Sequence, residues 1–92
     1  MIRSFRSKSL KRFAASGDAP KLAVQNAGRV GRILRALLDA QNPEQLNLPG
    51  FKFHALRGAE KGRYSVWVTG NYRITFGWDE EEAIDVDLED YH

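Results

Sequence analysis

The chain closes on Glu89, Asp90, Tyr91 and His92, so two acids, a phenol and an imidazole follow a segment patterned as a buried strand. Side chains of these types hold and release protons in the range that enzymes use. The other histidine, His54, falls in a separate predicted strand, and histidines on different strands can meet across a sheet. Such a set suits metal-free cleavage of RNA. That reaction needs a base for the 2′-hydroxyl, an acid for the departing 5′-oxygen, and a cation for charge developing on the phosphoryl group. His54 and His92, with ordinary pKa values of roughly 6.5, can serve as acid or base, and Asp90 can orient a histidine or take the proton itself. Arg57 and Arg73 can grip the scissile phosphate in a bidentate manner, and Tyr91 can stack on a base or donate to phosphate. Asn71 and Arg73 sit just past a predicted hairpin turn, while Arg57 follows His54 at the exit of its strand.

Each residue also has a plainer reading. A strand histidine is often structural, Arg73 can pair with Asp85 or Asp87 on a neighbouring strand, and Tyr91 can close the edge of the core. The tail itself can be frayed and solvated.

Composition narrows the setting for this chemistry. With 92 residues, 42% of them hydrophobic and 11% aromatic, the chain is expected to form one small globular domain over positions 1–92. The absence of cysteine excludes disulfides, thiolate catalysis and thiolate zinc sites, and agrees with a reducing compartment. No signal-peptide pattern and no run of eighteen apolar residues occurs, so the expectation is a soluble, cytoplasmic protein with no membrane partner. No internal repeat, phosphate-binding glycine loop or metal motif is present, and no cofactor is expected.

Charge is split along the chain. All fourteen Lys and Arg lie at or before Arg73, opposed there by four acids, whereas eight acids and no Lys or Arg follow. A basic body of this density suits a polyanion such as nucleic acid, because neutralising phosphates releases counterions. The alternative is that these side chains merely solvate helix faces.

The elements that must position the candidates follow from periodicity. Residues 2–5 form a short strand candidate. Ser7 can cap a helix that carries Leu10, Phe13 and Ala14 inward and Lys8, Lys11 and Arg12 outward, with Gly17 as its stop. Residues 18–21 read as a turn, with Pro20 opening a second helix over about 22–41. Its Ala27, Val30, Ile33, Leu34, Leu37 and Leu38 share one face, and Arg29, Arg32 and Arg35 lie opposite. The spacing of Gly28 and Gly31 could admit another backbone at close range, and Asn42 with Pro43 closes the helix. A connector follows whose Leu46, Leu48 and Phe51 are expected to pack.

Residues 52–56 alternate as a strand, with Phe53 and His54 on opposite faces. Residues 63–69 place Tyr64, Val66 and Val68 on one face, and Gly70 with Asn71 signals a two-residue hairpin. Tyr72, Ile74, Phe76 and Trp78 continue the apolar face with Arg73 turned away. After an acidic turn at 79–82, Ile84, Val86 and Leu88 alternate with Asp85, Asp87 and Glu89. The fold class is therefore α+β, an antiparallel meander with helices packed on one face. The uncovered face should carry His54, Arg73 and the odd-numbered acids.

Five blocks together resemble the HigB-type toxins of the RelE/ParE superfamily. They are the opening Met1-Ile2-Arg3-Ser4-Phe5, the block Leu48-Pro49-Gly50-Phe51 with His54-Ala55-Leu56-Arg57-Gly58, the stretch Gly62-Arg63-Tyr64-Ser65-Val66, the run Asn71-Tyr72-Arg73-Ile74-Thr75-Phe76, and the closing Glu89-Asp90-Tyr91-His92. The resemblance spans the chain in register and implies a RelE-like fold. It also implies a metal-independent messenger-RNA endonuclease acting in the ribosomal A site, with functional positions at His54, Arg57, Arg73, Asp90, Tyr91 and His92 and a lesser one at Asn71. A HigA-like helix-turn-helix antitoxin is the implied partner, the free toxin being a monomer and the complex a hetero-oligomer. Ala55 stands where many relatives place proline, and Arg57 where lysine is common. Arginine keeps the charge but is a poor general acid, so an electrostatic role is assigned to Arg57. Arg29, Arg32 and Arg35, with Lys8, Lys11 and Arg12, are the candidate contacts to RNA of the ribosome. Two other functions also fit a basic domain of this kind: a non-nucleolytic inhibitor of DNA gyrase, and an RNA- or ribosome-binding module without catalysis.

Overall fold

A computed structural model describes residues 1–17 and 26–90. Helix α1 (Lys8–Ser16) begins where the Ser7 hydroxyl accepts the Leu10 N–H at 3.2 Å, satisfying a donor that the helix start leaves over. It ends at Gly17, whose φ of 73° suits a residue without Cβ and whose N–H reaches the Phe13 carbonyl at 2.7 Å. Leu10 is fully buried and Phe13 half-buried. Ala14, expected inward, is exposed, because it borders an open apolar groove between the two helices that Phe5, Phe13, Leu34 and Leu38 also line.

Helix α2 (Ala27–Asp39) is capped by Asn26, whose side chain accepts the Arg29 N–H at 3.1 Å. The turn expected at 18–21 and the first residues of the predicted second helix lie outside the described residues. Val30, Ile33, Leu34 and Leu37 are buried, whereas Leu38 borders the same groove and stays 48% exposed. The helix stops at Ala40, short of the predicted end, and Pro43 instead opens a 3-10 turn (Pro43–Leu46). A Cβ added at Gly28 or Gly31 would meet nothing within 4 Å, so among the described residues no neighbouring backbone uses their spacing. Among the described residues no helix is long and apolar enough to cross a membrane.

Among the described residues four antiparallel strands lie in chain order: β1 (His54–Ala55), β2 (Arg63–Thr69), β3 (Tyr72–Asp79) and β4 (Glu82–Asp90). The strand expected over 52–56 shrinks to two residues because Lys52 adopts a left-handed φ of 50° and turns the chain. The strand expected over 2–5 is reduced to parallel bridges of Ile2 to Ala83 and Phe5 to Val86. These bridges cover the outer edge of β4, with the Arg3 N–H donating to the Ala83 carbonyl at 2.8 Å.

Between Val66, Val68, Ile74, Phe76, Ala83 and Val86 of the sheet and Leu10, Val30, Ile33, Leu34 and Leu37 of the helices lies the core, closed by Leu46 and Phe51. Leu48, expected to pack, is 42% exposed. β4 departs from simple alternation. Thr75 faces Asp87 but Gly77 faces Ile84, so β4 carries an extra residue, and Asp85 there has a φ of 50°. Ile84 is thereby turned beside Gly77, away from the face that takes Ala83 and Val86, where it was expected to join Val86. A second register shift between Trp67 and Thr69 leaves Trp67 directly across from Arg73.

Candidate active site

The register assembles one set of side chains on the face away from the helices. His54 pairs with Ser65, Ser65 with Thr75, Trp67 with Arg73, and Arg73 with Glu89. Period-two alternation sends all of them to the same side. His54, Ser65, Trp67 and Arg73, joined by Lys52 from the preceding turn, line a cleft of about 130 Å³. Ser65 is buried within it, His54 is exposed, and Arg73 and Trp67 are half-buried. Phosphate would meet two cations there, with an imidazole beside them. Lys52 Nζ lies 4.8 Å from the Trp67 ring centroid, within range of a cation–π attraction.

Arg73 has a partner on β4 other than those expected. Its Nη2 lies 3.6 Å from Glu89 Oε1, because the extra residue in β4 moves the register by one and sets Glu89 across from Arg73, while Asp87 faces Thr75. The Thr75 hydroxyl donates to Glu89 Oε2 and accepts from Arg63 Nη2 at 3.0 Å. Glu89 was legible as part of the closing block but not as a neighbour of Arg73.

The remaining candidates are distributed more widely. Arg57 is exposed at the start of a short 3-10 turn (Gly58–Glu60) after β1 and does not line the cleft. Asn71 is exposed in the two-residue turn between β2 and β3, where the Trp67 indole N–H donates to the Gly70 carbonyl at 3.1 Å. Asp90 pairs with Tyr72, so alternation sets it on the opposite face of the sheet from Glu89. Tyr91 and His92 lie outside the described residues.

Of the helical cations, Lys8, Lys11, Arg12, Arg32 and Arg35 are exposed, with Arg35 Nε 3.2 Å from Asp39. Arg29 is not part of that exposed set. It donates through Nε to the Trp67 carbonyl at 3.2 Å and through Nη2 to the Gly50 carbonyl. Its Cζ also lies 5.4 Å from the Phe51 ring and 5.0 Å from that of Trp67. At about 100° per residue Arg29 sits near 90° from the middle of the buried face, on its flank, so a long side chain reaches the sheet.

Lys52, Ser65 and Trp67 are cleft residues that residue chemistry alone did not single out. For Ser65 and Trp67 the available signal was parity, since both share an odd-numbered face with Arg63 on the strand that pairs with β3. Lys52 carried no such signal, because it enters through a left-handed turn.

Comparison with known proteins points to one family. Residues 3–92 match the family model of the HigB-like toxins, described as the RelE-like toxin of type II toxin-antitoxin system HigB. The chain is also 35% identical over 92 residues to Endoribonuclease HigB of Proteus vulgaris, with the whole of both chains covered. An α+β domain matched along nearly its full length by that model, and along its full length by that relative, belongs to the HigB-like family of RelE-like toxins from type II toxin-antitoxin systems.

Proposed function

We propose that this toxin is an endoribonuclease that cuts messenger RNA in the ribosomal A site, without a metal, and so stops translation. The observation that carries the reading is the cleft in which His54 and Arg73 meet beside Lys52 and Trp67. The name of the Proteus vulgaris relative, an endoribonuclease, supports it. In the proposed reaction the 2′-hydroxyl attacks the adjacent phosphorus, a P–O bond forms, and the bond to the 5′-oxygen breaks. One group takes the hydroxyl proton and another supplies a proton to the departing oxygen. His54 takes one of these roles and His92 the other. Arg73 holds the phosphate and stabilises its added charge, aided by Lys52, and Arg57 adds a further cation on the chain that leaves β1. Tyr91 stacks on or hydrogen-bonds the RNA, Trp67 offers a ring for a base, and Asn71 contacts the strand from the hairpin. The exposed cations of the two helices hold ribosomal RNA, and a HigA-like helix-turn-helix antitoxin is the neutralising partner.

Purified protein added to ribosomes programmed with a defined messenger is expected to yield discrete cuts mapped by primer extension, and Arg73→Ala to abolish them. Intact messenger, combined with loss of gyrase supercoiling activity in a parallel assay, would overturn this reading in favour of a gyrase inhibitor.

A further inference from the structure

The carboxylate beside Arg73 is itself held from below. Thr75, fully buried, donates its hydroxyl to Glu89 Oε2. The same hydroxyl oxygen accepts from Arg63 Nη2 at 3.0 Å, and that nitrogen also donates to the carbonyl of Asp85, the bulged residue of β4, at 2.9 Å. Arg63 is largely buried, with its side chain 12% exposed, and Glu60 lies 3.4 Å from its Nε. The side chains of Arg63, Thr75, Glu89 and Arg73 therefore form a continuous chain across three strands, ending 3.6 Å from the Arg73 guanidinium.

A long arginine side chain samples many rotamers. A cation that stabilises charge developing in a transition state is effective only when it is held in place beforehand. Glu89 supplies the restraint, Thr75 fixes the carboxylate, and Arg63 fixes Thr75. With Glu60 beside Arg63 and Glu89 beside Arg73 the set is formally neutral, and Lys52 adds the positive charge that the cleft turns toward phosphate. We infer that Glu89 is a positioning residue for Arg73, anchored by the buried hydroxyl of Thr75. The inference rests on the reading of the cleft as the site of RNA cleavage.

The test uses the full chain on programmed ribosomes with Glu89→Gln, Thr75→Val, Thr75→Ser and Arg73→Ala. Glu89→Gln keeps the shape and removes the charge, whereas Thr75→Val keeps the shape and removes the hydroxyl. Both are expected to lower kcat roughly 10- to 100-fold through misplacement of Arg73. KM for ribosomes is expected to stay within about threefold, since binding surface is unchanged. Thr75→Ser restores the hydroxyl and should recover most of the rate. A role in folding alone would instead lower Tm and the active fraction without separating kcat from KM. Arg73→Ala separates the two levels of the argument. If it cleaves like wild type, the cleft reading fails. If it is inactive while Glu89→Gln and Thr75→Val match or exceed wild-type kcat, positioning by Glu89 is overturned and the cleft reading stands.

Discussion

His54 is exposed on a two-residue strand, so its ring does little for the core that Phe76 and Ile74 fill. His54→Ala should therefore shift Tm by less than about 4 °C while cutting the cleavage rate by roughly 10²- to 10⁴-fold, the range for losing a positioned acid or base. Thermal unfolding and primer extension on the same preparation check both halves, and wild-type cleavage would remove His54 from the mechanism. Arg29 is the opposite kind of residue. It joins α2 to the Gly50 and Trp67 carbonyls and lies against two rings, so Arg29→Ala should cost about 1.5–3 kcal/mol in urea unfolding. The exposed Arg32→Ala should cost under about 0.5 kcal/mol. Equal losses would mean that Arg29 is as solvated as Arg32. The chemical types at the site were legible because His54 and Arg73 are conspicuous in a chain with two histidines and no cation after Arg73. Trp67 was not, and neither was the pairing of Glu89 with Arg73, since that pairing depends on the bulge in β4.

At the level of elements, β2 and β3 were legible because their apolar positions alternate without interruption and Gly70-Asn71 marks the turn between them. In β4 the alternation of Ile84, Val86 and Leu88 with acids reads as a regular strand, yet the bulge at Asp85 turns Ile84 away. Sequence alternation is blind to such an insertion when apolar residues flank it on both faces. The bulge matters beyond β4, because it supplies the carbonyl that Arg63 engages and sets Glu89 across from Arg73. Asp85 holds a left-handed backbone that Asn tolerates and a β-branched residue does not. Asp85→Val should therefore lose about 1–2 kcal/mol in urea unfolding, whereas Asp85→Asn should stay close to wild type. Its pairing with Arg6 is long, at 3.9 Å, and exposed, so losing that charge matters little. Equal stability of the two variants would mean that the bulge relaxes without strain.

Across the whole molecule the charge division has a spatial counterpart. Arg3 lies 2.6 Å from Asp79 and 2.9 Å from Glu82, hydrogen bonds that hold its pKa above the ordinary value, and Arg6 faces Asp85. The amino-terminal cations are thus spent on the acidic β3–β4 hairpin. Lys11, Arg12 and Arg32 stay exposed on the helices and stand in no ion pair among the described residues, while Arg73 and Lys52 serve the cleft on the other face of the sheet. Binding through two sides fits a substrate held inside a larger RNA body, with ribosomal RNA on the helices and messenger in the cleft. If so, the triple change Lys11→Gln, Arg12→Gln and Arg32→Gln should flatten the slope of log K against log salt for ribosome binding by roughly 2–3, near 0.7–0.9 for each phosphate no longer neutralised. Tm should hold, because none of the three is buried. Cosedimentation with ribosomes over a salt series gives the slope directly. An unchanged slope would mean that the helices do not face RNA, and would leave the cleft face to account for binding by itself.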